Sequence, residues 1–298
     1  MQKRSKGVPK PDLLVLARPK QWIKNFLVFA APLSAGIILE PKILFWTIAT
    51  FVSFCFAASA VYMANDVLDA EHDRNHPKKR WRPVAAGRVS SRKATACAIA
   101  CVLVALAIPA IFVRIEVSLV ILGYLVLQAA YLWRLKHEPV IDIAEIAGGF
   151  LLRAVAGGVA ANVSISNAFF IVVGFGAFFV AAGKRYSEII NIPQEGTSTR
   201  TTLDTYTPGY LRMLLSISAA ISLVGYVLWA FEIQSASDTF VPFAVLSIIP
   251  MTLALMRYAK DAESAYTEVP ENAIFADKWL FGLGLVWFVL FAAQVLQR

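Results

Sequence analysis

The sequence predicts an all-α, polytopic membrane protein, a bundle of nine transmembrane helices with a polar cavity open to the cytoplasm. Three observations carry that expectation. Of 298 residues, 58% are hydrophobic and 16% charged, a balance that places the chain among membrane proteins rather than soluble domains. Apolar runs long enough to cross a bilayer recur along the chain. Its Lys and Arg residues crowd one side of those runs.

The runs fall near 22–39, 43–63, 94–113, 117–133, 143–162, 167–183, 208–230, 240–256 and 277–296. The first is flanked by Arg18-Pro19-Lys20-Gln21-Trp22-Ile23-Lys24-Asn25, and its length and structured flank argue against a cleaved signal peptide. The second leads into an acidic segment. In the fifth, Gly148-Gly149 and Gly157-Gly158 read as points of close helix packing. The sixth is short, ending at Gly183.

The segment up to Lys24 carries seven Lys and Arg residues and the 64–93 stretch carries eight. Lys42, Arg114 and Arg298 fall on the opposite side, and Arg153 lies inside a span. The positive-inside rule therefore puts the N-terminus in the cytoplasm and the C-terminus outside, in a multi-pass plasma (inner) membrane protein. One membrane domain, 1–298, is expected. It would have a cytoplasmic N-terminal segment (1–21) and two cytoplasmic active-site loops (64–93 and 184–207). The net charge of +8 reads as topology and attraction to anionic lipid, so no nucleic acid partner is needed.

Other chemistries are poorly served. Cys55, Cys97 and Cys101 lie in spans and read as small buried residues. No CxxC, GxSxG or glycine-rich P-loop occurs, and the three histidines, His72, His76 and His137, do not suggest a metal site. The informative stretch is Asn65-Asp66-Val67-Leu68-Asp69-Ala70-Glu71-His72-Asp73, followed by His76-Pro77-Lys78-Lys79-Arg80-Trp81-Arg82-Pro83. Carboxylates beside membrane helices are costly and point to function. If the helix continues, Asn65, Asp69 and Asp73 form an i, i+4, i+8 stripe with Asp66 beside it, facing a hydrated site. Such oxygen ligands suit Mg²⁺ with substrate phosphates, and Lys79 and Arg82 could hold further phosphate charge.

This stretch resembles the first aspartate-rich motif of the UbiA prenyltransferase superfamily, NDxxDxxxD followed by His-Pro and Arg-Pro, and the expected span count is similar to that fold. The Arg18–Asn25 flank looks like the branch of polyprenyl-phosphate phosphoribosyltransferases. The resemblance implies Mg²⁺-dependent transfer of 5-phosphoribose from phosphoribosyl diphosphate to a polyprenyl (decaprenyl) phosphate, feeding arabinose donors for cell-wall polymers. Asn65, Asp66 and Asp69 would be catalytic, holding metal with Asp73.

Aromatic-acceptor members usually carry a second acidic motif after the sixth span. Here that place holds Gly183-Lys184-Arg185-Tyr186-Ser187-Glu188. More cations and fewer carboxylates suit a donor with more phosphate, with Lys184 and Arg185 as phosphate ligands and Glu188 as an auxiliary. Asp142, Glu145 and Arg153 are spaced to share one face of a helix. Arg153 would bind donor phosphate or close an internal ion-pair network. Lys136 would meet the lipid phosphate, and Tyr62 a ribose hydroxyl or the bilayer interface. Lys20 and Lys24, one α-helical turn apart, would bind phosphate or snorkel to set topology. Two other readings stand beside this one, an aromatic-acceptor prenyltransferase on the same fold and a transporter or lipid-binding scaffold. A homo-oligomer is compatible with all three.

Overall fold

The computed structural model describes residues 11–77, 79–191, 205–235, 241–264 and 276–297. Residues 1–10 of the N-terminal segment and 192–204 of the second expected loop lie outside them. All regular elements among the described residues are helical. In chain order they are α1 (Asp12–Ala17), a 3-10 stretch (Pro19–Phe29), α2 (Ala30–Ser34), α3 (Pro41–Leu68), α4 (Ala70–Arg74) and a 3-10 turn (Lys79–Trp81). There follow α5 (Ser91–Phe112), α6 (Ile115–Trp133), a 3-10 turn (Leu135–His137), α7 (Ile141–Ala161), α8 (Asn167–Ile190) and α9 (Pro208–Ser235). The chain closes with α10 (Phe243–Leu246), α11 (Ile248–Glu263) and α12 (Lys278–Leu296). Eight helices among the described residues, counting Phe243–Glu263 as one, are long and apolar enough to cross a membrane.

The first apolar run accounts for the difference from the nine expected. It does not form a regular α-helix. Arg18 takes a left-handed conformation (φ 50°) that ends α1, and Pro32 lacks the N–H that a continuous helix would bond. Eleven 3-10 residues at about 2.0 Å each and five α-helical residues at about 1.5 Å still add up to roughly 30 Å, close to the hydrocarbon thickness.

Helix starts follow ordinary capping chemistry. Ser90 and Ser166 accept hydrogen bonds from the Lys93 and Phe169 amides, and Asp277 accepts from those of Trp279 and Leu280. Pro41 occupies the first turn of α3. Two helices outrun their apolar stretches, and both matter to the site. α3 continues to Leu68, so Asn65 and Asp66 sit in its last turn. α8 continues to Ile190, so Lys184, Arg185 and Glu188 stand on a helix, not in a loop.

Successive long helices pack as neighbours, α3 with α5, α7 with α8 and α8 with α9. Ion pairs joining Asp66, Asp142 and Asp277 to Arg18, Arg185 and Arg257 gather at one end of the bundle. Between the 3-10 stretch, α7, α8, α9, α11 and α12 lies an apolar cavity of about 630 Å³, lined among others by Phe26, Leu33, Phe150, Val180, Met251 and Trp287.

The 3-10 stretch presses against α7 at Gly157. A Cβ built there would lie 1.8 Å from the Val28 carbonyl oxygen, so only glycine admits the contact. At Gly282 on α12, by contrast, a Cβ meets nothing within 4 Å. Gly157→Ala should therefore destabilise by about 1–3 kcal/mol or more, the range for overpacking. Gly282→Ala should leave the detergent-solubilised melting temperature near wild type. Equal melting temperatures for the two variants would refute the close contact.

Candidate active site

The acidic stretch bends where α3 ends. Asp69 leaves helical geometry (φ −89°, ψ 2°), yet its amide bonds to the Asn65 carbonyl (2.9 Å) and its own carbonyl accepts from the Asp73 amide (2.8 Å). Helical register thus carries across the break. The carboxylates that share a partner are not the expected stripe, however. They are Asp66 and Asp73, seven residues apart and on one face. The Arg82 Nη1 lies 2.7 Å from Asp73 Oδ2, to which it donates, and 3.2 Å from Asp66 Oδ1. The Arg18 Nη2 donates to the same Asp66 oxygen at 2.5 Å. Asp69 instead faces Lys136, whose Nζ lies 3.4 Å from its Oδ1.

Burial corrects the expectation of a hydrated cluster. Asp66 is 2% exposed and Asp73 1%, whereas the Asp69 side chain is 32% exposed. Charges taken out of water require partners, and the arginines supply them. One atom is left over: the buried Asp73 Oδ1 has no hydrogen-bond partner among the described residues.

Arg18 was not singled out in the sequence, where Lys20 and Lys24 drew attention instead. Its guanidinium stacks 4.8 Å from the centre of the Tyr62 ring while reaching Asp66. The available signal was the Arg-Pro step at the head of the flank. Lys20 and Lys24 do not share a face, because four residues in a 3-10 helix turn one side chain about 120° past the other. Lys20 is exposed and Lys24 half-buried. In the basic turn, the Lys79 amide donates to His76 Nδ1 (3.2 Å). Burial, then the charge of Lys79, lowers the pKa of His76, which favours the neutral ring that accepts this bond.

A second network joins α7 to α8. Arg185 is 1% exposed, and it donates to Asp142 Oδ2 (2.9 Å) and Glu188 Oε2 (2.8 Å). Lys184, half-buried, lies 3.9 Å from Glu188 Oε1. Tyr206, just before α9, donates to Asp142 Oδ1 (2.6 Å) and accepts the Val140 amide (2.5 Å). Burial and then the bond to Asp142 raise the Tyr206 pKa, so the phenol keeps its proton. Val140 pays for this with a positive φ (φ 70°, ψ −44°), a strained conformation for a β-branched residue. Nothing local in the sequence pairs Tyr206 with Asp142.

Asp142, Glu145 and Arg153 do not form one ion-pair network. Glu145 accepts from Gln128, and Arg153 bonds to neutral partners. These are Asn25 Oδ1 (2.7 Å), the Gly149 carbonyl (2.7 Å) and the Tyr124 hydroxyl (3.1 Å). Phe54, Tyr124 and Phe150 surround the Arg153 guanidinium, which is thereby tied to both the 3-10 stretch and α6.

Hard oxygen donors at Asn65, Asp66, Asp69 and Asp73, with the orphaned Asp73 Oδ1, fit a magnesium ion in chemical type. As the side chains stand, no three His, Cys, Asp or Glu residues among those described converge as they would around a metal. Arg18, Arg82 and Lys136 hold the carboxylates instead.

Comparison with known proteins gives the family and the fold. The chain is 42% identical over 275 residues to the decaprenyl-phosphate phosphoribosyltransferase of Corynebacterium glutamicum, a match covering 91% of this chain and 82% of that protein. It is 41% identical over 282 residues to the decaprenyl-phosphate phosphoribosyltransferase of Mycobacterium tuberculosis, covering 93% and 92%. Among solved structures, a UbiA homolog from Archaeoglobus fulgidus bound to DMAPP and Mg²⁺ aligns with a TM-score of 0.73 at 19% identity, over 96% of this chain and 98% of that one. That likeness shows the fold. Residues 26–275 match the model of the UbiA prenyltransferase family, and this chain belongs to that family.

Proposed function

We propose that this protein transfers 5-phosphoribose from phosphoribosyl diphosphate to a polyprenyl phosphate, decaprenyl phosphate in the first instance, and releases diphosphate. The observation that carries this reading is the 39–42% identity, over more than nine-tenths of the chain, to decaprenyl-phosphate phosphoribosyltransferases. The product would supply arabinose donors for cell-wall polymers. The protein is a multi-pass membrane protein. The lopsided Lys and Arg distribution supports a plasma-membrane orientation with the N-terminus and site in the cytoplasm and the C-terminus outside.

In the reaction the C1–O bond of the donor breaks as diphosphate leaves, and an acceptor phosphate oxygen forms the new bond to C1. The acceptor is already an anion, so no general base is required. The site accordingly works by positioning and electrostatic stabilisation. A magnesium ion held by Asn65, Asp66, Asp69 and Asp73 would neutralise charge on the departing diphosphate. Lys79, Arg82 and Lys184 would share that task, with Lys20 and Lys24 receiving the donor at the rim. Lys136, beside Asp69, suits the lipid phosphate. Arg153, whose hydrogen-bond partners are neutral, suits donor phosphate. Arg185 has a different part, because two carboxylates already hold it. It positions Glu188, and through Glu188, Lys184. The apolar cavity suits a polyprenyl tail entering sideways from the bilayer.

Prenyl transfer to an aromatic acceptor is the other reading on this fold. Position 184, where Lys stands in place of a second acidic motif, weighs against it. Purified protein supplied with radiolabelled phosphoribosyl diphosphate, decaprenyl phosphate and Mg²⁺ should make a labelled lipid. Label-free lipid, together with turnover of a prenyl diphosphate, would overturn the assignment.

Asp69 offers the cleanest test of the metal role, because it is part-exposed and its loss strands no buried arginine. Asp69→Ala should abolish turnover with little change in melting temperature. Asp66→Ala should cost both, since breaking a buried pair typically costs about 3–5 kcal/mol. Wild-type turnover by Asp69→Ala in EDTA would exclude the metal assignment.

Lys184 and Arg185 should separate in the same way. Lys184→Ala should lower kcat/KM roughly ten- to a hundredfold, the equivalent of about 1.5–3 kcal/mol for a lost charge-assisted bond, without loss of stability. Lys184→Asp should not be rescued by high Mg²⁺. Arg185→Ala should instead lower the melting temperature, leaving Asp142 buried beside Tyr206 alone. Full activity of Lys184→Asp at high Mg²⁺ would refute the phosphate role.

A further inference from the structure

We propose that Arg18 and Arg82 are exchangeable counter-ions. They hold Asp66 and Asp73 until a divalent cation takes those carboxylates, and the freed guanidiniums then bind the donor diphosphate. The proposal rests on reading the acidic cluster as a metal-diphosphate site. It adds how that site is filled, and it makes Arg18 a further substrate-binding residue.

The argument begins with charge. Asp66, Asp69 and Asp73 bring three negative charges, and Arg18, Arg82 and Lys136 stand on them with three positive ones. These six groups sum to zero charge before metal enters, with Lys79 close by as a further cation. A divalent cation entering alone would leave two uncompensated positive charges in a poorly solvated place, which is costly. Diphosphate entering alone would meet arginines already engaged. Entering together, they compensate most of each other's charge, and the freed guanidiniums face the diphosphate. Each ligand therefore strengthens the binding of the other, and the coupling is reciprocal by thermodynamic necessity.

Geometry gives the exchange its means. Both guanidiniums meet at one oxygen, Asp66 Oδ1, at 2.5 and 3.2 Å. Two like charges crowded on one oxygen repel each other, so one is displaced more readily than a lone partner would be. Asp73 Oδ1 is buried without a partner among the described residues, an oxygen with the chemistry of a hard-cation ligand. Neither arginine is sealed in, since the side chains of Arg18 and Arg82 are 28% and 24% exposed. Arg18 hangs on a left-handed residue between α1 and the 3-10 stretch, braced on the Tyr62 ring. It can turn from carboxylate to phosphate by side-chain rotation. The planar fork of arginine suits both partners, which favours such a handover.

The test uses the full-length protein in detergent micelles and does not require turnover. Mn²⁺ affinity in the absence of anion is read by electron paramagnetic resonance. Binding of ³²P-labelled inorganic diphosphate is read by equilibrium dialysis with Mg²⁺ and with EDTA. In the wild type, Mg²⁺ should tighten diphosphate binding. Arg18→Gln removes a competing cation, so it should tighten anion-free Mn²⁺ binding by on the order of tenfold, within the usual span of such couplings. The same variant should lose much of the Mg²⁺-dependent gain in diphosphate affinity. Arg18→Lys, which keeps the charge, should stay near wild type for Mn²⁺ and thereby shows that the effect is not a folding defect. Tighter Mn²⁺ binding in Arg18→Lys equal to that in Arg18→Gln would overturn the counter-ion role. Unchanged Mn²⁺ affinity in Arg18→Gln, with normal metal-dependent diphosphate binding, would overturn the exchange alone. No metal-dependent diphosphate binding in the wild type would overturn the metal-diphosphate reading itself.

Discussion

Asp66 and Asp73 are taken almost wholly out of water at the end of α3 and in α4, and that desolvation dictates the arrangement around them. A buried carboxylate without a cation is costly. The partners come from two directions, Arg18 from the N-terminal flank and Arg82 from the turn after the basic run. Their meeting at Asp66 fixes α1 against α3, where the buried Leu16 joins Ala60 and Met63 and the Ser59 hydroxyl reaches the Ala17 carbonyl. The same requirement repeats across the bundle, where Arg185 of α8 holds Asp142 at the start of α7. The buried carboxylate–arginine pairs thereby gather where α3 ends and α7 begins.

The 3-10 stretch connects that polar end to the apolar cavity. Its outer side forms part of the cavity wall through Phe26, Leu27 and Phe29, while Val28 seats its carbonyl against Gly157. Asn25 turns the other way and takes a hydrogen bond from Arg153. One short segment therefore presents a wall for a lipid tail, a docking ridge for α7 and an anchor for a buried cation. The longer rise per residue of a 3-10 helix lets it do so with few residues.

Strain is concentrated where the networks close. Val140 adopts a positive-φ backbone and directs its amide to Tyr206, which in turn holds Asp142. Asp142 orients Arg185, and Arg185 orients Glu188 beside Lys184. The distortion persists because several hydrogen bonds at once require it. A site that works by electrostatic positioning depends on such fixed dipoles and charges more than on any titrating base.

The sequence by itself determined the class of this protein and the address of its chemistry. Long apolar runs can only be satisfied as membrane helices, because each helix closes its own backbone hydrogen bonds locally. The acidic stretch from Asn65 to Asp73, the basic residues after it and the cations at 184 and 185 were legible for a similar reason: charge beside a membrane span is too costly to be incidental. Partnership was decided only by the tertiary structure. Arg18 and Asp66 are 48 residues apart, and Arg185 and Asp142 are 43 apart. Tyr206 and Asp142 are 64 apart. No periodicity links residues at such distances. Burial is likewise a property of what packs nearby, which is why Asp66 looked hydrated in the sequence and proved to be paired. The 3-10 form of the first run, and with it the separate faces of Lys20 and Lys24, is likewise visible only in the folded chain, where Val28 meets Gly157 129 residues downstream.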